Sequence, residues 1–272
     1  GDLYVAENSR VTRYRDIETH LAEPPAAEVL DIDLPSEGWH GWRYIGFGPD
    51  GLLYIAIGAP CNICDKEGYA NISRMNPDGS DREVYAHGVR NSVGFTWHPD
   101  NGELWFTDNG RDMLGDDVPP DELNNATEAG QHFGYPYCHA GEFVDPKLGE
   151  GKACADYRAP ARKLDAHVAA LGLKFYTGNM FPESYRGQIF IAEHGSWNRS
   201  EKSGYRLSVV DFTDGVASSY QQFATGWLGG GEVSGRPVDL LILKDGSMLV
   251  SDDQSGKIYR ITYSNTASEE TR

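Results

Sequence analysis

One unit returns five times along the chain and limits what it can fold into. A glycine-containing turn, or the end of one, leads into a short apolar strand that finishes in small and polar residues. The copies are GDLYVAEN (1–8), DGLLYIAIG (50–58), NGELWFTDNG (101–110), RGQIFIAEHG (186–195) and DGSMLVSDD (245–253). Ahead of most of these turns runs another apolar strand, as in RYIGFGPDG, SVGFTWHPDNG, ALGLKFYTGNMFPESYRG and VDLLILKDG. Strand, turn, strand is a β-hairpin. Repetition of one β unit at about fifty residues, lengthened in places by inserted loops, is the signature of a β-propeller, whose blades pack face to face around a channel. A β-sandwich accounts for the strands but not for the return of the same turn.

The bulk numbers agree. Thirty-two glycines, 14 prolines and 11% aromatic residues in 272 residues suit many short strands joined by tight turns, in one domain spanning 1–272. A net charge of −17, from 41 acidic and 24 basic residues, argues against nucleic-acid or anionic-membrane partners. No apolar run approaches the roughly eighteen residues of a membrane span. Gly1–Asn8 reads as a strand and not as a signal peptide, as in a mature secreted chain or a trimmed one. The cysteines are Cys61, Cys64, Cys138 and Cys154. CNIC has the spacing of zinc and redox sites, but no second CxxC accompanies it and no histidine follows Cys64. An even count favours the disulfides Cys61–Cys64 and Cys138–Cys154, which would place the protein in an oxidising compartment; four reduced thiols are the alternative.

Propeller geometry turns the repeat into a functional expectation. Strands of a hairpin are antiparallel, so the start of the first lies beside the end of the second. One face of the disc then collects His40 with Arg43, Arg90 with Asn91, His167 and Arg236 from strand starts. Strand ends add Glu7, Asn8, Asp108, Asn109, Glu193, His194, Asp252 and Asp253, while the Pro-Asp-Gly turns point the other way. A polar mouth over an apolar scaffold is the usual form of a binding site. Five blades are visible and the chain opens on a second strand, so an N-terminal blade of a six-bladed ring is expected to be absent or diverged.

Residues 38–60, HGVRNSVGFTWHP (87–99), FTDNGRDMLGDDVPPDELNNA (106–126), FIAEHGSWNRS (190–200) and GRPVDLLILKDGSMLVSDD (235–253) together resemble the soluble sugar dehydrogenases that use pyrroloquinoline quinone, most closely their sorbosone dehydrogenase-like branch. The resemblance implies a six-bladed propeller that oxidises a sugar or sugar-derived aldehyde by hydride transfer to the quinone. It makes His40 the general base, and Arg90, Asn91 and Arg236 cofactor contacts. It also implies a calcium on the backbone carbonyls of Asn109, Gly110 and Arg111. A planar tricarboxylate suits guanidinium partners and a hard cation suits carbonyl oxygen. Arg199 stands in for a cofactor lysine that has no clear counterpart, and Trp39 occupies the place of an aspartate beside the base. Arg111 replaces a proline, Val238 replaces a second arginine, and a glutamine of the family's N-terminal region has no counterpart.

His167 and His194 are further candidates for contact with cofactor or substrate, the latter beside Trp197, Asn198 and Arg199, which suit sugar stacking and hydrogen bonding. GDDVPPDELNN puts Asp116, Asp117, Asp121, Glu122 and Asn124 in one expected loop, read either as a second calcium site or as a solvated turn. Trp42, Trp97 and Trp105 fall in strand patterns and read as core. The resemblance implies an external electron acceptor and a periplasmic or secreted location, and it is compatible with a homodimer. Two other classes remain: a calcium-dependent lactonase-type propeller with Glu7, Asn109 and Asp253 around the metal, and a non-catalytic propeller binding module.

Overall fold

The computed structural model describes residues 1–213 and 215–264. Among them the regular structure is β apart from three single-turn 3-10 helices, and five sheets stand as the blades of a propeller. Blade one holds β1 (Leu3–Ala6), β2 (Val11–Tyr14) and β3 (Glu28–Val29). Blade two holds β4 (Ile45–Phe47), β5 (Leu53–Ile57), β6 (Asn71–Met75) and β7 (Glu83–His87). Blade three is β8 (Phe95–Trp97), β9 (Leu104–Asp108) and β10 (Pro120–Ala126), completed by a strand that returns after an insertion. In that insertion β11 (Gln131–His132) adds in parallel to β7, and β12 (Cys138–His139) pairs with β13 (Phe143–Val144); β14 (Arg162–Ala166) then closes blade three. Blade four is β15 (Ala170–Phe175), β16 (Ile189–Glu193), β17 (Arg206–Thr213) and β18 (Val216–Ala224). After the small hairpin of β19 (Leu228–Gly229) and β20 (Glu232–Val233), blade five comprises β21 (Pro237–Ile242), β22 (Met248–Asp252) and β23 (Lys257–Ile261).

The recurring turns are built alike. Asp50 Oδ1 accepts the Leu52 amide at 3.1 Å, Asn101 Oδ1 the Glu103 amide at 3.0 Å, and Asp245 Oδ1 the Ser247 amide at 3.0 Å. Each is an Asx turn, and the glycine after the Asx residue has φ of 78°, 72° and 85° at Gly51, Gly102 and Gly246. That backbone region favours glycine, which explains why the same dipeptide keeps returning.

The core lies between blades, and β5, β9 and β16 each contribute to two of its clusters. Along β5, Leu53, Ile55 and Ile57 pack with Val11 and Leu30 of blade one, whereas Tyr54 and Ala56 pack with Phe95, Leu104 and Phe106 of blade three. Along β16, Ile189 and Ile191 face Trp105 and Leu123, whereas Phe190 and Ala192 face Leu240, Met248 and Val250. Strand alternation delivers this division, and each buried Leu, Ile or Phe contributes about 2 kcal/mol. On β1 only one face is so covered: Tyr4 and Ala6 pack toward blade two, and Leu3 and Val5 stay exposed. Across the axis, Lys174 Nζ donates to Tyr44 Oη at 3.0 Å and Tyr44 Oη to Asp239 Oδ2 at 3.3 Å, tying blades two, four and five together.

Both expected disulfides are present, Cys61–Cys64 and Cys138–Cys154. Three of the sequence expectations need correction. Trp42 is 79% exposed, because it precedes β4 and so belongs to no strand face; Trp105 is core and Trp97 half-buried. The run from Asp116 to Asn124 is not one loop: Pro120–Ala126 pairs with β9 on one side and β14 on the other. Glu193 does not look into the mouth; it is fully buried, with Oε2 accepting Arg206 Nε at 2.6 Å and Oε1 accepting the Tyr220 hydroxyl.

Candidate active site

A cavity of about 460 Å³ opens on the face where β9, β16 and β22 end. It brings together His40, Arg90, Asn91, Asn109, Gly110, His167, His194, Arg236 and Asp253, which enter from blades two to five. Trp42, Trp197, Asn198, Asp112 and Asp121 add to the polar and aromatic part of the wall, and Val93, Leu171 and Val238 to the apolar part. The volume falls within the range of cofactor and substrate pockets.

His40 stands just ahead of blade two with φ of 50°, and His167 has φ of 60°. Ala169, also in the cavity wall, has φ of 52°, and left-handed backbone at these three non-glycine residues costs on the order of 1 kcal/mol or more each. Gly58 makes the first of these placements feasible, because a Cβ there would lie 2.6 Å from His40 Cβ and 2.9 Å from Asn91 Oδ1. His40 Nδ1 lies 2.7 Å from the Ala59 carbonyl oxygen. A carbonyl only accepts, so Nδ1 carries the proton and Nε2 the lone pair. Nε2 in turn accepts from Trp39 Nε1 at 3.1 Å. Burial, helped by the Arg90 charge, lowers the His40 pKa to about 4.

The two arginines are held by acceptors that fix their planes. Arg90, 3% exposed, gives Nε to the Asn62 carbonyl at 3.0 Å, Nη1 to the Asn109 carbonyl at 3.1 Å, and Nη2 to Asn62 Oδ1 and Asp112 Oδ2, both at 2.9 Å. Arg236 gives Nε to the His194 carbonyl at 2.9 Å and Nη2 to the Gly195 carbonyl at 2.6 Å. Those two contacts leave Nη1 of Arg236 with no acceptor among the described residues. His194 Nε2 meets Asp253 Oδ1 at 2.9 Å, while burial lowers the histidine's pKa. His167 donates Nε2–H to the Gly115 and Val118 carbonyls at 2.9 and 3.1 Å.

Three carboxylates, Asp108 and Asp252 at strand ends and Asp121 at the start of β10, grip backbone amides beside the cavity. Asp108 accepts the amides of Arg90 at 2.8 Å and Asn91 at 2.6 Å. Asp252 accepts that of Arg236 at 2.9 Å. Asp121 accepts those of Gly110 at 2.7 Å and Ala169 at 2.8 Å. Asp108 and Asp252, expected at the mouth, are therefore supports of the wall. Burial raises the pKa of Asp108, with the Glu122 charge adding to it, and pushes Asp121 up to about 6.

Other candidates lie elsewhere. Arg199 turns from the cavity to the Asp116 carbonyl and to Asp117 Oδ1, the latter at 3.2 Å. Asp116 Oδ1 accepts the Ser200 amide at 3.1 Å. With Asp121 and Glu122 spent on amides, the four acids expected as a second calcium site do not converge, and no cluster of three or more His, Cys, Asp or Glu suited to a metal occurs among the described residues. Glu7 bonds to Arg10 in blade one at 2.7 Å and is not part of the cavity wall, so the lactonase-type trio is not assembled. Asn62, Asp112 and the donor role of Trp39 are the residues that sequence reasoning missed. The CxxC spacing around Asn62 drew notice only for its sulfurs.

Glu122 supports the other side of blade three. It accepts the Ala140 amide at 2.7 Å and Asn124 Nδ2 at 2.9 Å, yet burial pushes its carboxyl up to about 7. The folded pKa exceeds the unfolded one, so the contribution of protonated Glu122 is complete below pH about 4.5 and is lost as pH rises through about 7. At about 1.4 kcal/mol per pH unit the loss is on the order of 3 kcal/mol. Glu122→Gln is therefore expected to gain stability on the wild type by that order between pH 4.5 and 8, measured by urea unfolding. A difference between the two proteins that does not move with pH contradicts it.

Comparison with known proteins now adds the family. The family model described as TrAA12-like matches residues 71–264. An uncharacterised protein of Borreliella burgdorferi is 38% identical over 280 residues, covering 96% of this chain and 71% of its own length. The pyrroloquinoline quinone-dependent pyranose dehydrogenase of Coprinopsis cinerea is 26% identical over 259 residues, covering 86% of this chain. The chain spans 34% of the length of that dehydrogenase. The calcium structure of the Trichoderma reesei carbohydrate-active enzyme of family AA12 superposes with a TM-score of 0.83 at 21% identity, covering 96% of this chain and 77% of that one. That superposition bears on the fold and confirms the propeller. With most of its length matched, this chain belongs to the TrAA12-like family, as its resemblance to the pyrroloquinoline-quinone-dependent sugar dehydrogenases leads one to expect.

Proposed function

We propose that this chain oxidises a sugar or sugar-derived aldehyde with pyrroloquinoline quinone held in the cavity. The observation that carries the reading is the pairing of two oriented guanidinium groups, Arg90 and Arg236, with a neutral histidine in the same cavity whose Nε2 carries no proton and is capped by the Trp39 N–H. A tricarboxylate fits that donor set: Arg236 retains Nη1 for an anion, and the apolar wall of Val93, Leu171 and Val238 suits a flat ring system. Arg90, Asn91, Arg236 and the cavity face of His194 are the residues assigned to hold it. When bound, the quinone supplies a two-electron acceptor for hydride.

The rest of the chemistry belongs to side chains. His40 Nε2 takes the proton of the substrate hydroxyl, and Nδ1, pinned on the Ala59 carbonyl, keeps the ring from turning. Trp39 shields that lone pair until a hydroxyl displaces its N–H. Trp42 and Trp197, 79% and 65% exposed at the rim, offer flat faces to a pyranose ring. With the quinone bound, an external acceptor would carry the electrons onward, and the two disulfides fit a periplasmic or secreted location.

Calcium suits the Asn109–Arg111 turn in part. The Asn109 carbonyl is shared with Arg90, but those of Gly110 and Arg111 accept no hydrogen bond among the described residues. The Arg111 side chain is drawn away to Asp145. A cation on those two oxygens would neutralise cofactor carboxylates. Chelation with EGTA is accordingly expected to weaken cofactor retention at least tenfold, read by equilibrium dialysis of the quinone. Retention unchanged by EGTA removes calcium from the account.

The direct test of the activity is reconstitution of the purified protein with the quinone and calcium, assayed on aldoses and sorbosone with an artificial dye acceptor. Quinone-dependent dye reduction with at least one sugar is expected. Cofactor binding without reduction of dye by any of them makes the protein a binding module.

A further inference from the structure

The four-residue loop closed by Cys61–Cys64 carries no part of the cavity wall, yet it holds the most deeply buried cation of the site. Asn62, inside that loop, meets the Arg90 guanidinium with two acceptors, its carbonyl on Nε at 3.0 Å and its Oδ1 on Nη2 at 2.9 Å. Adjacent N–H groups gripped from one residue fix the plane of a guanidinium, which a single contact does not. The same amide is itself locked: Oδ1 also accepts the Asp112 amide at 2.9 Å, and Nδ2 donates to the Asp112 carbonyl at 3.0 Å. Asp112 Oδ2 returns to Arg90 Nη2 at 2.9 Å. On its far side the loop is fastened where the Cys64 amide donates to the Tyr135 hydroxyl at 3.0 Å.

No regular strand runs through residues 58–70, so hydrogen bonds of a sheet do not fix Asn62. A disulfide across a loop this short removes most of its conformations. We propose that Asn62 is a positioning residue for Arg90 and that the Cys61–Cys64 bond is its clamp, so that the anion-binding geometry of the cavity depends on a disulfide outside it. The proposal rests on the functional reading above in so far as the anion is the quinone cofactor.

The test uses two readouts on the whole chain. The first is hydrogen exchange of the Arg90 Nε–H by nitrogen-15 NMR, the signal being assigned by its loss in Arg90→Lys. The second is quinone affinity by fluorescence titration. In the wild type the Nε–H exchanges slowly. Asn62→Ala keeps the backbone carbonyl that accepts Nε–H but removes the side-chain contacts to Asp112 and Nη2 that hold this carbonyl in place. It and Cys61→Ser/Cys64→Ser are therefore expected to speed that exchange and to weaken quinone binding about tenfold to a hundredfold, the range for a lost hydrogen bond to a charged group. Asn62→Asp, which keeps the acceptor, is expected to restore much of the protection. If the double serine variant does not fold, Asn62→Ala, with the disulfide intact, decides. Protection unchanged in the folded variants, or lost protection with unchanged quinone affinity, overturns the proposal. If the wild type does not bind the quinone, the functional reading fails, while the Nε–H exchange still decides whether the clamp exists.

Discussion

Replacing His40 with alanine is expected to lower sugar oxidation by about 10²- to 10⁴-fold, the contribution of a positioned general base, while leaving quinone affinity within a few-fold of the wild type. The separation of the two effects follows from the geometry. His40 reaches the cavity through Nε2, and its other nitrogen is used on the Ala59 carbonyl, so it contributes a lone pair and no charge. The pH profile carries the same signature. With the His40 pKa lowered to about 4, Nε2 remains free throughout the neutral range, and kcat/KM is expected to fall tenfold per unit only below about pH 4. An acid limb near 6.5 identifies an unperturbed histidine and contradicts this assignment. Equal activity of His40→Ala and wild type removes His40 from the chemistry.

Arg236→Ala is expected to weaken quinone binding by at least a hundredfold without unfolding the protein. The guanidinium is held by two backbone carbonyls, of His194 and Gly195, which water can satisfy once it is gone. Loss of a charge-assisted contact to a carboxylate inside a partly desolvated cavity is worth about 2–3 kcal/mol or more. Arg90 is the opposite case. It is buried against Asp112, and removing one partner of a buried ion pair costs about 3–5 kcal/mol of stability, so a loss of binding there does not isolate the cofactor contact. Binding by titration together with a thermal melt separates the two. A folded Arg236→Ala that binds the quinone as the wild type does places the cofactor elsewhere.

The propeller was legible because its turns repeat a physical requirement. An Asx residue and a glycine with positive φ are needed at Asp50–Gly51, Asn101–Gly102 and Asp245–Gly246, and the sequence spells them each time. Antiparallel pairing then places the ends of β9, β16 and β22 on one face, so the backbone positions of Asn109, His194 and Asp253 followed. Which way each side chain turns did not follow. Asp108 and Asp252 face the amides of the adjoining strand start, a contact that exists only once the hairpin has closed. The residues Asp121, Glu122 and Asn124 read as part of a loop with Asp116 and Asp117, yet they are buried in β10 between β9 and β14, where pairing and packing override local preference. Asn62 and Trp42 lie outside any strand, where side-chain alternation gives no guidance.

The measurement that bears most directly on this account is a titration of the purified chain with pyrroloquinoline quinone in the presence of calcium, followed by passage through a desalting column. Stoichiometric quinone absorbance is expected to travel with the protein and to be lost in Arg236→Ala. Quinone left wholly in the small-molecule fraction, from a protein whose melt shows it to be folded, would contradict the central claim that this cavity is built for that cofactor.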